Sequence, residues 1–135
     1  MVTLVDTSAL YAHLDSADAN HERATATLLE LLDAGERLVT HNYVLVETAA
    51  LVQRRLGVEA TRILHDDVLP VIDTIWIDEP THRLAITAMI GAGRRGISLV
   101  DWTSFVVMRQ HRLDRAFAFD TDFTTQGLEV VPGGA

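Results

Sequence analysis

Short β-favouring runs and longer stretches with helical spacing take turns along this chain. Val2-Thr3-Leu4-Val5 is apolar and stops abruptly at Asp6. The spacing then predicts a helix over Ser8–Leu14, and Asn20 is placed to cap a second helix that runs to Asp33 and closes at Gly35. Leu38-Val39-Thr40 reads as a strand. Asn42 caps a helix through Arg55 that ends at Gly57, with Val46, Ala49, Ala50 and Val52 roughly along one face. Val58–Leu69 is helical in pattern and is stopped by Pro70, and the β-branched run Val71–Ile77 is a third strand. Pro80 falls in the first turn of the next helix, which ends at Gly91 and Gly93. Ser98-x-x-Asp101 resembles a capping box, with Asp for the usual Glu, opening a helix to about Leu113. Ala116–Phe119 and Glu129–Val131 are the last strands. Alternation of this kind gives a parallel sheet covered by helices on both faces. The expected organisation is one domain over residues 1–132, with a flexible C-terminal tail over 133–135.

Gly91-Ala92-Gly93-Arg94-Arg95-Gly96 matches the dinucleotide fingerprint G-x-G-x-x-G letter for letter. That fingerprint works only between a strand and the start of a helix, where backbone N–H groups meet a pyrophosphate. Here the glycines follow the helical stretch Thr81–Ile90, so they end a helix. The two arginines carry more interest than the glycines.

Composition narrows the chemistry. The 135 residues contain no cysteine, which removes disulfides, thiolate metal sites and cysteine nucleophiles. All 11 basic residues are arginine, so a P-loop lysine, a Schiff base and a receiver-type phosphoacceptor site are excluded as well. No apolar run approaches the length of a membrane span, and the N-terminus lacks a basic signal region, so a cytoplasmic location is expected. The formal charge of −8 opposes non-specific binding to polyanions unless some acids hold cations that change the local sign.

Several acids stand where ligands of open α/β sheets bind, outside the carboxyl ends of strands. Asp6 directly follows the first strand, and Asp120 follows Ala116–Phe119 with Asp122 two residues on. Asp101 lies in the first turn of a helix, and Glu47 interrupts an apolar stretch about one turn into another. Singly, each has a plain explanation: Asp101 as a capping partner, Asp120 and Asp122 as turn formers. Together they are like charges in apolar surroundings, which raise one another's pKa unless a cation neutralises them. All-oxygen ligands suit Mg²⁺ or Mn²⁺ rather than zinc.

Leu4-Val5-Asp6-Thr7-Ser8-Ala9-Leu10, Tyr43-Val44-Leu45-Val46-Glu47, Ser98-Leu99-Val100-Asp101 and Phe119-Asp120-Thr121-Asp122-Phe123 resemble, in order, the motifs of the PIN-domain nucleases. Within that family the chain is most similar to the VapC toxins of bacterial type II toxin–antitoxin systems. The resemblance implies a PIN-like fold with a five-stranded parallel sheet, in which Asp6, Glu47, Asp101 and Asp120 hold Mg²⁺ and act in catalysis. Asp122 is a further metal-ligand candidate at a less uniform position of the family, and Thr7 and Ser8 are candidates for supporting the site and contacting substrate. The implied activity is Mg²⁺-dependent endoribonuclease cleavage of a tRNA or rRNA by metal-activated water. A VapB-like antitoxin, a homodimer through the N-terminal helices, and a heterotetramer or larger complex with the antitoxin are implied too.

Because the centre is acidic, substrate contact is expected from arginines on the rim. Arg94 and Arg95 come first, with Arg54, Arg55, Arg109 and Arg112 behind them. The competing metal-free ribonuclease mechanism needs a histidine pair. His13, His21, His41, His65, His82 and His111 are scattered and read as surface residues, His41 alone falling near the converging acids. A catalytically silent PIN-like module binding RNA or protein, and a metal-dependent nuclease acting on DNA, are the alternative readings.

Overall fold

The structure is a computed structural model that describes residues 1–133; Gly134 and Ala135, the rest of the expected tail, lie outside the described residues. Strands β1 (Val2–Val5), β2 (Arg37–His41), β3 (Asp73–Ile75), β4 (Arg115–Phe117) and β5 (Glu129–Val131) form one sheet in the order β3-β2-β1-β4-β5. Every pairing is parallel. Leu4 is in register with Val39 of β2 and Ala116 of β4, and Val5 with Phe117. Side chains alternate across a strand, so the sheet divides its apolar residues between two cores. Leu4, Val39, Ala116 and Ala118 join Phe105, Met108 and Phe123 on one face, while Val5, Leu38 and Phe117 join Leu10, Leu28, Val44 and Leu64 on the other.

The helices are α1 (Thr7–Leu14), α2 (His21–Asp33), α3 (Asn42–Leu56), α4 (Val58–Ile63), α5 (Glu79–Ala92), α6 (Leu99–Gln110) and α7 (Asp122–Thr125). None among the described residues is long and apolar enough to cross a membrane. The capping expected of Ser98 is present: its hydroxyl accepts from the Asp101 amide at 3.1 Å. Gly93 ends α5 in the left-handed conformation, as expected of a glycine there, whereas Gly91 stays inside the helix. The six-residue glycine motif is therefore a helix end and loop.

Several boundaries differ from the pattern-based expectation. Asn42 is the first residue of α3 rather than its cap, which is His41. The Asn42 side chain is used elsewhere, its Oδ1 accepting from the Ile77 amide at 2.7 Å and tying α3 to the chain after β3. Asn20 occupies the cap position of α2 but makes no side-chain capping bond. Pro70 does not stop a single long helix. After α4 the chain widens into a π turn over Leu64–Val68, then tightens into a 3₁₀ turn over Leu69–Val71 with Pro70 in its first turn, where a missing N–H costs nothing. β3 is accordingly three residues long and is an edge strand, bonded to β2 alone. Helix α6 ends at Gln110, short of Leu113, because Arg112 turns left-handed at φ 55°. β4 ends at Phe117, two residues before the expected limit, although the Ala118 amide still bonds to Val131.

The short helix α7 has no counterpart in the sequence pattern. It is anchored by Phe123, which is fully buried with its ring 5.1 Å from that of Phe105. Phe123→Ala should cost about 3–5 kcal/mol of stability in a urea titration, the usual loss for an aromatic core truncation. Since α7 is continuous with Asp120, the same variant should also bind divalent metal more weakly in a calorimetric titration.

Candidate active site

The strand order reverses at β1, where chain building passes from β2 and β3 on one side to β4 and β5 on the other. Crevices form outside the carboxyl ends of strands at such a switch point. Asp6 and Asp120 stand there. The Asp6 amide donates to the Phe117 carbonyl of β4 at 3.0 Å, and the carbonyl just before it, on Val5, accepts from the Thr40 hydroxyl of β2 at 2.8 Å. Asp6 is thus fixed from both neighbouring strands before its side chain is considered.

That side chain has two unequal oxygens. Oδ2 caps α1, accepting from the Ser8 amide at 3.1 Å and the Ser8 hydroxyl at 2.6 Å. Oδ1 is buried and has no partner. The Ser8 hydroxyl in turn accepts from the Phe119 amide at 2.9 Å, next to Asp120. Ser8 therefore joins the first acid to the segment carrying the last.

A cavity of about 410 Å³ is lined by Asp6, Thr7, Ser8, Glu47, Asp101 and Asp120, the four acids singled out in the sequence among them. Carboxylate oxygens of Asp101, Asp120 and Asp122 lie within 4.8 Å of one another, which brings Asp122 into the cluster. The Asp122 amide also donates to Asp120 Oδ1 at 2.9 Å. Glu47 is half-buried on α3, close enough for its charge to act on Asp6. Thr7 is buried and its hydroxyl accepts from Thr48 at 3.3 Å, so it joins α1 to α3 beneath the cavity.

Crowding shows in the proton affinities. Burial, opposed by the Ser8 bonds and reinforced by Asp120 and Glu47, raises Asp6 from 3.8 to about 6. Burial, then the charges of Asp6 and Asp120, raises Asp101 to about 7. Asp120 is also raised, chiefly by burial, with the Asp122 amide opposing and the Asp122 carboxylate adding to the effect. A hard all-oxygen donor set with one buried oxygen left unsatisfied is chemically suited to hold a divalent cation.

The arginines singled out in the sequence take different positions around the acids. Arg94 and Arg95 are exposed on the loop after α5 and are not among the residues lining the acid cavity. Arg55 does line it, together with Tyr11, Asp18, Asn20 and Leu51, none of which the sequence pattern singled out as site residues beyond the weaker arginine list. The signal was present: Glu47, Leu51 and Arg55 recur at i, i+4 and i+8 on one helix face.

The histidines do not supply a rival centre. His41 is fully buried rather than on the surface, with Nε2 at 2.8 Å from the Ser104 hydroxyl, and burial lowers its pKa to about 4. None of the six is among the residues lining the acid cavity.

A family model of the PIN domain matches residues 3–127. The chain is 33% identical over 132 residues to the 23S rRNA-specific endonuclease VapC20 of Mycobacterium tuberculosis, with 95% of this chain and 97% of that protein aligned. The crystal structure of VapC20, described as a Sarcin-Ricin loop cleaving toxin, matches with a TM-score of 0.82 over 95% of this chain and 96% of that one. FitAcB from Neisseria gonorrhoeae shares the fold at 21% identity and a TM-score of 0.68, over 96% of each chain. So does VapBC2 from Rickettsia felis bound to a promoter DNA fragment, at 15% identity and a TM-score of 0.71, over 96% of this chain and 97% of that one.

An acid whose folded pKa is lifted above its unfolded value holds extra protons in the native state. Its contribution to stability then falls as pH rises between the two values. For Asp6 and Asp101 that window runs from 3.8 to about 6 and about 7. In EDTA the melting temperature should therefore decline across this window more steeply for the wild type than for Asp6→Asn. Parallel melting curves at every pH would show that Asp6 carries no such strain.

Proposed function

We propose a mechanism and a setting for a chain that belongs to the PIN-domain family and is homologous to the VapC endonuclease toxins. It is a divalent-metal-dependent endoribonuclease, using Mg²⁺ with Mn²⁺ as a substitute, and it serves as the toxin of a type II toxin–antitoxin pair. The observation that carries this reading is the unpartnered, buried Asp6 Oδ1 at a cavity that Asp101 and Asp120 also line, with oxygens of Asp101, Asp120 and Asp122 crowded within 4.8 Å of one another. A buried polar atom left unsatisfied is costly, and a cation is the simplest partner for it among like charges.

Asp6, Glu47, Asp101 and Asp120 would hold the ion, with Asp122 at the edge of the set. A divalent cation bound there supplies a water of lowered pKa and neutralises charge on the phosphate and the leaving oxygen. The carboxylates do not attack. Ser8 fixes the Asp6 carboxylate through Oδ2 and leaves Oδ1 for the ligand. Burial and the charges of Asp6 and Asp120 push the Asp101 carboxyl up to about 7, and as a ligand it would serve in its ionised form, so cation affinity should rise with pH. The expected products are a 5′-phosphate and a 3′-hydroxyl.

Likeness to an enzyme that acts on 23S rRNA favours a structured RNA as substrate. An antitoxin of the VapB kind would lay its C-terminal segment over the cleft and set a basic side chain among the acids. The toxin would pair with itself through the N-terminal helices and neighbouring segments, giving a heterotetramer or larger with the antitoxin.

Incubation with total RNA, with and without Mg²⁺, should give discrete metal-dependent cuts ending in 5′-phosphate. Cutting of DNA instead, or of neither, overturns the ribonuclease reading. Metal-free Asp101→Asn should be at least as stable as wild type, since a like charge is removed. At Mg²⁺ 100 times its dissociation constant the wild type should gain ~2.7 kcal/mol, most of which the variant loses along with activity. Equal metal-induced rises in melting temperature would show that these acids do not form the metal site.

A further inference from the structure

The acid cluster accounts for a cation, but a chain of net charge −8 must still grip a polyanion. We propose, resting on the ribonuclease reading, that single-stranded RNA crosses the acids between two arginine–aromatic shelves. Arg55 on Tyr11 forms one and Arg23 on Phe119 the other, and each takes a nucleotide flanking the cleaved bond.

The first shelf is built into the acid cavity. Arg55 and Tyr11 both line it, and the guanidinium lies 5.2 Å from the Tyr11 ring centre. The ring is itself fixed at its far end, where its hydroxyl donates to Asp15 at 2.7 Å. Arg55 stands two helical turns beyond Glu47 on the same face of α3, about 12 Å along the axis by helix geometry. That separation lets it meet the backbone beyond the phosphate held at the acids. Among the described residues no carboxylate lies within 4.0 Å of the Arg55 guanidinium, whose charge acts on the Tyr11 hydroxyl and on Asp15.

The second shelf faces a neighbouring cavity of about 430 Å³, within the size range of ligand sites. This cavity shares Asn20, Phe119 and Asp120 with the acid cavity, so the two adjoin at Asp120. The Arg23 guanidinium lies 5.7 Å from the Phe119 ring centre. Asn20, which makes no capping bond, offers at the junction a carboxamide that both donates and accepts, as a base edge requires. Splayed bases are held in RNA-binding sites by stacking on aromatic rings and guanidinium planes in this way.

Topology puts the shelves on opposite sides of Asp6. α3 follows β2, whereas Phe119 leads out of β4 and its cavity extends to Val130 of β5. A strand running from one to the other must pass the acids. Arg94 and Arg95 line neither cavity.

The test uses the full chain and two readouts. The first is binding of a short single-stranded oligoribonucleotide carrying 2-aminopurine, in Ca²⁺; the second is cleavage kinetics in Mg²⁺. Arg55→Ala, Arg23→Ala and Phe119→Leu should each weaken binding and raise KM roughly ten-fold, with kcat changed far less. Each arginine removed should also flatten the salt slope by about 0.7, and Arg55→Lys should restore the slope without restoring KM. Arg83→Ala, an exposed residue paired with Glu79, serves as the control. Unchanged metal-induced melting shifts in the shelf variants separate lost RNA contact from a damaged acid site. If wild type binds and cuts while the shelf variants match it, the shelves are wrong and the nuclease reading stands. Loss of slope in Arg94→Ala/Arg95→Ala alone would move the track to that loop and overturn the proposal. Binding that depends on the shelves without cleavage would support them and overturn the nuclease reading. Neither binding nor cleavage of this oligoribonucleotide by the wild type would overturn the shelves, the total-RNA incubation alone deciding the nuclease reading.

Discussion

The hydroxyl of Ser8 donates to the Asp6 carboxylate and accepts from the Phe119 amide, and through it the two halves of the sheet share one site. An aspartate at a strand end repels the other acids; a serine two residues on gives it a bond that favours its charged form. The same Oδ2 also accepts from the Ser8 amide and so caps α1, and the start of the helix and the aim of the carboxylate are set by one residue. Thr40 and the Phe117 carbonyl fix the backbone beneath it. The acids are held together against their charges by a frame that is bonded from β2, β1 and β4.

That frame explains why the site can tolerate being strained. Burial, reinforced by mutual repulsion, lifts the Asp6 carboxyl to about 6 and that of Asp101 to about 7, so holding both ionised costs the folded state stability. Two apolar cores, one on each face of the sheet, oppose this cost. The stored repulsion is what a bound cation would relieve, so stability and metal affinity are two readings of one arrangement.

The sequence revealed most where one principle governed a position. Acids directly after strands had to fall at the sheet's carboxyl edge, and Asp6 and Asp120 do. Parallel topology followed from alternation alone. It misled where tertiary contacts reassign a side chain: Asn42 looks like a cap but bonds Ile77, and His41 looks polar but is buried against Ser104. Pro70 looked like a stop, yet a proline fits the first turn of a 3₁₀ segment. Helix α7 escaped notice because four residues carry no period, and its existence rests on one buried phenylalanine. Among the arginines, Arg55 lines the acid cavity, on the helix face it shares with Glu47 and Leu51, while Arg94 and Arg95 stand on an exposed loop.

The sheet pairs its first strand with its fourth, residues 4 and 5 meeting 116 and 117. A chain is made from its N-terminus, and contacts this distant in sequence close late. While β4 is still unmade, Asp6 lacks the Phe117 carbonyl, Ser8 lacks the Phe119 amide, and Asp120 does not exist. A chain growing through the hundred or so residues that follow Asp6 therefore carries no assembled acid site, and the acids meet only once residues 117–122 have emerged.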